Sequence, residues 1–371
     1  MRDPDHQMLP QPSAEDAARQ RYVLALKEFL GRRLRPLNES IFETEAKPGF
    51  ESEHGYAPES VADITAAMYA NRRYQAWSTL NRTAQELMWE AVGETVWRDE
   101  QRLRSDYRKL HESPSAGGSL QLDPDLEIPS VLTKINIHLQ PGGYAHDTGD
   151  DDVIAGAFYE SGGAVYSRGQ SIGVAESKAE TIIRFIRERY RIAPKRILDV
   201  GCSAGASSTP YAEAFADAEV HAIDVGPGLL RYAHARAEAL GLPVHFHQRN
   251  AADMGFEDGS FDLVVSHNAM HEMSTKTTAA MMRESFRLLK PGGVCVHQDV
   301  PLRYERLSEF KRFDFGWDLK NNNEPFWEAY ATNDCEAMLK AAGFTAANIS
   351  IDDVPLPDSP MAWYVASALK A

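Results

Sequence analysis

The apolar positions of this chain change rhythm partway along. From Ser13 to roughly Leu110 they recur every three to four residues: Tyr22, Val23, Leu26, Phe29 and Leu30 fall on one helical face, as do Leu80, Ala84, Leu87 and Ala91. Ser60 followed by Asp63 has the pattern of a capping box and opens a helix carrying Val61, Ile64 and Met68. These stripes read as helix-packing core. His111 to Asp125, rich in Ser, Gly, Pro and Asp, predicts a loop. VLTKINIHL, Val131 to Leu139, alternates apolar and polar residues and predicts a strand ending in a turn at Pro141, Gly142 and Gly143. The acidic HDTGDDD, His146 to Asp152, predicts a solvated loop, since its carboxylates lack the spacing of a calcium loop.

After Glu176 strands alternate with helices, which predicts a parallel sheet covered on both faces. Helices are expected at Glu176 to Tyr190, Pro210 to Ala216, Leu229 to Ala239, Thr277 to Leu289 and Asp334 to Ala342. Strands are expected at Arg196 to Val200, Val220 to Asp224, Val244 to His247, Leu263 to Ser266 and Val294 to Gln298. Asn348 to Val354 and Met361 to Lys370, separated by a short Pro-rich turn, should pair as an antiparallel hairpin. The expected class is therefore α/β, a doubly wound sheet ending in that hairpin, with a mainly helical amino-terminal domain over 1–155 and the sheet domain over 156–371.

Composition narrows the partners. A length of 371 residues exceeds one usual domain, and 25% charged with 43% hydrophobic residues suits a folded chain. With 54 acidic against 39 basic side chains the formal charge is -15, which repels nucleic acid and anionic lipid. Cys202, Cys295 and Cys335 are too few and too scattered for a disulfide framework. MRDPDHQMLPQPS lacks the pattern of a secretory signal, and no apolar run reaches the ~20 residues of a membrane span. A cytoplasmic protein with a small-molecule substrate, and neither nucleic acid nor membrane as partner, is the expectation.

The chemistry starts at RILDVGCSAGASS, Arg196 to Ser208. A dinucleotide turn wants G-x-G-x-x-G, and here Ser203 and Ala206 stand where two of those glycines belong; a P-loop also fails, because no Gly-Lys-Ser/Thr follows. Asp199, two residues before Gly201, would repel a phosphate but attract a cationic, amino-bearing nucleoside.

LDVGCSAG, HAIDV ending in an acid, QRNAADMGFEDGSFD before a strand and LLKPGG before the next resemble, in order, the motif series of class I S-adenosylmethionine-dependent methyltransferases of the small-molecule type. The resemblance spans about Glu176 to Ala371 and implies a Rossmann-like methyltransferase sheet with S-adenosyl-L-methionine as cofactor. It implies that Asp199 lies near the methionine amino group, that Gly201, Ser203 and Gly205 form the turn, and that Asp224 holds the ribose hydroxyls with Val225 against the adenine. Asn250 and Ala251 would read the adenine edge, and Ser266 ends a strand on the same side. Ser203 replaces a glycine common in the family and Asn250 an aspartate. Helical amino-terminal domains in such O-methyltransferases often form homodimers and cover the active site, so the resemblance implies either use here.

Methyl transfer to a hydroxyl needs the acceptor positioned and its proton removed. SHNAMHEMS (Ser266 to Ser274) and VCVHQD (Val294 to Asp299) end two strands, so His267, His271 and His297 are expected to converge on the cofactor side. By resemblance, where the base histidine sits in a His-Asp-Trp motif, His271 is the candidate general base, with His267 and His297 secondary. His267 and His271 have the spacing of helical metal ligands, but H-E-x-x-H is absent and no metal is expected. The aromatic insertion Pro301 to Thr332 reads as a lid on an apolar or aromatic substrate, as a satellite core against the amino-terminal domain, or as both. Two other readings stay open, a protein methyltransferase and a noncatalytic cofactor-binding scaffold.

Overall fold

The structure, a computed structural model, describes residues 5–169, 178–357 and 361–371. Eight strands form one sheet: β1 (Ser119–Gln121), β2 (Arg196–Val200), β3 (Glu219–Asp224), β4 (Val244–Gln248), β5 (Phe261–His267), β6 (Leu289–Asp299), β7 (Ile349–Pro355) and β8 (Ala362–Leu369). Their order is β1-β4-β3-β2-β5-β6-β8-β7, parallel through β6, with β8 antiparallel to both β6 and β7. The α/β class, the two-faced sheet and the terminal hairpin are as expected. The first two residues expected in the helix from Glu176, and part of the hairpin turn, lie outside the described residues.

Period-two alternation decides which face each residue serves. Ile197 packs with Ile182, Leu230 and Phe246 on one face, whereas its neighbour Leu198 packs with Ile223, Val264 and Met281 on the other. Order reverses at β2, whose neighbours β3 and β5 leave in opposite directions. Such a reversal opens a crevice beyond the carboxyl ends of the strands.

Before the sheet the chain is mainly helical, from Ala14–Phe29 to a helix of 41 residues, Arg72–Glu112, about 60 Å long. Ser60 and Asp63 form the expected capping box. The stripe on the first helix is narrower than its spacing suggests. Val23, Lys27 and Leu30 are buried and Lys27 bonds to Gln85, while Tyr22 and Phe29, about 100° round the helix, face solvent.

The helix Ile154–Gly169 joins the two regions. Phe158 packs between Trp89 and Val92 of the long helix and Tyr232 and Ala235 of the helix Pro227–Leu240. A Cβ on Gly156 would lie 2.2 Å from Tyr232 Cβ, so only glycine lets these helices touch there. Across the contact Glu160 accepts from Tyr232 (2.5 Å) and Arg236 (3.0 Å) and meets His6 (3.2 Å).

Two local expectations are corrected. Val131 to Leu139 is not a strand: it forms the short helix Ser130–Lys134 and a 3-10 turn Ile137–Leu139, with His138 at φ 54. The reason is tertiary, since Gln85 and Trp89 both donate to the His138 carbonyl, at 3.0 and 2.6 Å. The segment read wholly as a loop contributes β1, which a three-residue strand without alternation does not announce. The acidic loop is solvated over Asp147 to Asp150, as expected, except that Asp152 at its end is buried and caps the Ile154 amide, while Asp151 binds Arg104 and Asp147 binds Arg231. No helix among the described residues is long and apolar enough to cross a membrane.

Candidate active site

The turn after β2 is drawn back against β3 by Gly201 and Cys202, whose amides both donate to the Ile223 carbonyl. Gly201 (φ 75) and Gly205 (φ 79) take left-handed conformations, and Ser203 (φ 49) pays the same conformational cost with a side chain attached. Asp199 is fully buried beneath this turn. Its Oδ2 accepts from the Ser207 and Ser208 hydroxyls, each at 2.7 Å, while Oδ1 has no partner among the described residues. Burial pushes its carboxyl up to about 6, against the two serine hydrogen bonds.

Asp224 ends β3 with one oxygen on the Ser203 amide (3.0 Å) and the other on the Gly226 amide (2.9 Å). Burial raises its pKa despite these donors. Asp199, Gly201, Ser203, Gly205 and Asp224 are thus brought together. Gln248 donates to the Val225 carbonyl at 3.0 Å. Asn250 lines a cleft with Gln121, Asp123 and Gln248, but its Oδ1 takes the Ala252 amide at 2.9 Å. Ala251 is buried in the core cluster that holds Leu198 and Ile223.

The three histidines do not converge. His297 is fully buried between the Ser266 hydroxyl (2.9 Å) and that of Ser285 (3.3 Å) on the helix Thr275–Leu288, and burial lowers it to about 4. The next strand position points to the opposite face, so His267 meets Tyr211 (3.0 Å) and Gln298 (3.3 Å), and burial lowers it to about 3.

His271 differs from both. It sits in the 3-10 turn Met270–Glu272, and its Nδ1 lies 2.5 Å from Asp299 Oδ1. Asp299, at the end of β6, also accepts the Met270 and His271 amides (2.8 and 3.2 Å) and that of Val300 (2.7 Å). An ionised carboxylate only accepts, so Nδ1 holds a proton in either charge state of the ring, and Nε2 has a lone pair only in the neutral ring. Burial opposes the charged ring, but Asp299 outweighs it and holds His271 up at about 9. Trp327 and Tyr330 of the insertion stand edge-on to the imidazole, with centroids 5.7 and 6.1 Å away.

Around His271 lie groups that sequence reasoning did not assign. His138 is 3.2 Å through Nε2 from Glu272 Oε1 and 2.6 Å through Nδ1 from Glu324 Oε1. Burial disfavours its charge, yet Glu324 and Glu272 hold it up at about 10. Tyr144 donates to Glu272 at 3.1 Å and packs on Tyr159, which lies near Ser203. These residues link the acid cluster to the glycine turn. No spacing marks them, because they come from the amino-terminal region, a turn and the insertion. Asp299 carries one usable signal, an acid ending the strand next to the one that leads into His271.

The insertion divides its aromatics. Phe310, Phe313 and Trp317 pack with Phe42, Tyr74 and Trp77 as a satellite core, while Trp327 and Tyr330 wall the site.

Residues 197–293 match the family model described as "Methyltransferase domain". Phosphoethanolamine N-methyltransferase 1 of Arabidopsis thaliana is 30% identical over 54% of this chain and 39% of its own length. The chloroplastic tocopherol O-methyltransferase of the same plant is 34% identical over 47% of this chain and 54% of its own. Among solved structures, the Haemonchus contortus phosphoethanolamine N-methyltransferase 2 in complex with S-adenosyl-L-methionine aligns over 52% of this chain and 53% of that one, at 19% identity and a TM-score of 0.40. The chain spans about half the length of the curated relatives it matches.

Proposed function

We propose that this chain, which carries a class I S-adenosylmethionine-dependent methyltransferase domain, moves the cofactor's methyl group to a hydroxyl of an apolar or aromatic small molecule. The observation that carries the reading is Asp199, a buried acid with one unpartnered oxygen beneath a glycine turn. A cationic amino group on that oxygen satisfies both the hydrogen bond and the charge. Asp224 keeps acceptor capacity for ribose hydroxyls beyond its two amide bonds.

At the acceptor end, the neutral form of His271, which predominates above about pH 9, takes the proton of the attacking hydroxyl on Nε2, while Asp299 fixes the tautomer and stabilises the imidazolium. Trp327 and Tyr330 favour a flat apolar acceptor and exclude water. The chain remains two units in this reading, a helical unit over 1–155 that supplies His138 and Tyr144 to the site, and the cofactor unit over 156–371. The named relatives include an O- and an N-methyltransferase of small molecules, which favours a small acceptor over a protein. Labelled cofactor offered to small-molecule extracts and to protein fractions separates the readings: label confined to protein, or none anywhere despite cofactor binding, overturns this one.

Two results bear on the cofactor side. Asp224→Ala should weaken S-adenosylhomocysteine binding roughly tenfold or more in calorimetry, since hydrogen bonds to a charged acceptor contribute about 1.5 to 3 kcal/mol each; undiminished affinity would remove Asp224 from the site. Asp199 sets a pH dependence. Its folded pKa is raised, so its contribution to the stability of the cofactor-free protein is fully present below the unfolded value of 3.8 and is lost as pH rises through about 6. Cofactor binding selects the carboxylate, so affinity should fall as pH drops below about 6, with proton release on binding near that pH. Calorimetry in two buffers of different ionisation enthalpy measures the release, and a pH-independent heat and affinity would contradict it.

A further inference from the structure

The geometry points to a divalent metal site formed by His138 Nε2, His271 Nε2 and Glu272, with Glu324 and Asp299 orienting the two imidazoles. Among the described residues, His138, His271, Glu272 and Glu324 each offer a ligand atom, and these atoms all lie within 4.8 Å of one another. Glu272 Oε1 is 3.2 Å from His138 Nε2 and 3.7 Å from His271 Nε2. Ligand atoms bonded at about 2.0 to 2.2 Å to one ion stand about 3 to 3.5 Å apart, so small shifts admit an ion between the three.

The outer ring of contacts supports the assignment more strongly than the distances do. Each imidazole turns Nδ1 to a buried carboxylate, His138 to Glu324 at 2.6 Å and His271 to Asp299 at 2.5 Å, and each turns Nε2 to the same Glu272 oxygen. A carboxylate on the far nitrogen is what fixes the tautomer and orientation of metal-bound histidines. A second observation points to a missing ligand. Glu324 is only 1% exposed, yet among the described residues its Oε2 has no hydrogen-bond partner, and the buried Glu272 Oε2 likewise has none. Unpartnered buried carboxylate oxygens are costly, and a cation removes that cost.

Two imidazoles and one carboxylate suit a first-row ion such as Zn²⁺ or Fe²⁺ rather than Mg²⁺ or Ca²⁺, which prefer all-oxygen shells. Three protein ligands leave coordination positions for an oxygen of the acceptor. The inference rests on the reading that this pocket receives the methyl acceptor. It refines the part played by His271: in the loaded protein its Nε2 would hold the metal, and the acceptor hydroxyl, acidified by the ion, would lose its proton to solvent water instead of to the imidazole.

The test is metal analysis of the full chain by mass spectrometry, followed by Co²⁺ titration of the chelator-stripped protein watched through its visible ligand-field bands. About one equivalent of metal is expected in the wild type. His138→Gln and Glu272→Gln should lose it, and Glu324→Gln should weaken Co²⁺ binding by about 10- to 100-fold as an orienting residue does. Circular dichroism checks that each variant folds. If one ligand variant does not fold, the other and Glu324→Gln still decide.

A wild type that holds no stoichiometric metal and gives no Co²⁺ spectrum overturns the site and leaves His271 as the base. Variants that fold and keep full metal affinity overturn the ligand assignment. S-adenosylhomocysteine calorimetry on the same samples separates this outcome from the parent reading: failure of the wild type to bind it sinks the methyl-transfer proposal whatever the metal result.

Discussion

His271→Ala is expected to lose about 10² to 10⁴-fold in methyl-transfer turnover while keeping its affinity for S-adenosylhomocysteine. The size follows from the setting. Asp299 is held by three backbone amides and in turn holds His271 Nδ1 at 2.5 Å, so the ring's orientation is paid for in the fold before any acceptor arrives. The loss applies whether Nε2 takes the acceptor's proton or holds a metal, because either role ends with the imidazole. Asp299→Asn is the companion variant. It keeps the shape but removes the charge that fixes the tautomer, and it should lower turnover in the same direction. Steady-state kinetics on the acceptor found by labelling, beside calorimetry, gives the measurement. An unchanged rate in His271→Ala would reduce this histidine to a wall of the pocket.

Glu160→Ala should cost about 3 to 5 kcal/mol of folding stability, the range for breaking a buried ion pair by removing one partner. Arg236 would remain buried with its charge uncompensated, although it still reaches Thr209 Oγ1 at 2.5 Å and, more weakly, the Gly205 carbonyl at 3.4 Å. Tyr232 would lose its shortest bond and keep only the Met8 carbonyl at 3.1 Å. Burial alone would raise the Glu160 pKa, but His6, Arg236 and Tyr232 outweigh it and hold the carboxyl down at about 2. Because the folded value is depressed, its stabilisation is present above the unfolded 4.5 and is lost as pH falls through about 2. Urea denaturation of the variant and wild type at neutral pH tests the claim. A difference within about 0.5 kcal/mol, the size of an ordinary surface change, would refute it.

The network also ties chemistry to architecture. Through Arg236, Glu160 reaches the carbonyl of Gly205 in the cofactor turn, and through Tyr232 it reaches Met8 near the start of the chain. The start of the chain and the glycine turn therefore share one buried charge cluster. Loss of Glu160 should loosen both.

Legibility in the sequence followed the range of the interaction that shapes each element. β2 to β8 were readable because alternation and short apolar runs are local patterns, and each observed strand lies within a few residues of its expected place. The glycine turn was readable for the same reason: left-handed backbone at 201 and 205 needs glycine, whatever the remainder of the chain does. Ser203 shows the limit of that reasoning. A serine at φ 49 departs from the glycine pattern, yet the turn keeps its course because Asp224 captures the Ser203 amide.

Elsewhere local pattern misled. Val131 to Leu139 alternates like a strand, but two donors from the long helix fix the His138 carbonyl and turn its ring inward. His267 and His297 were secondary candidates beside His271, and strand alternation aimed them at opposite faces of the sheet, His297 between two serines and His267 at Tyr211.

By itself, then, the sequence determined the sheet, the glycine turn and the acids that flank it, because these depend on neighbours a few residues apart. It also singled out His271. Only the tertiary structure decided what surrounds that histidine. His138, Glu272, Asp299 and Glu324 lie far apart along the chain except for the adjacent pair His271 and Glu272, and no short-range periodicity relates them. They meet because the helix contacts at Gly156 and Glu160, the turn after β5 and the aromatic insertion each deliver one part to the same crevice.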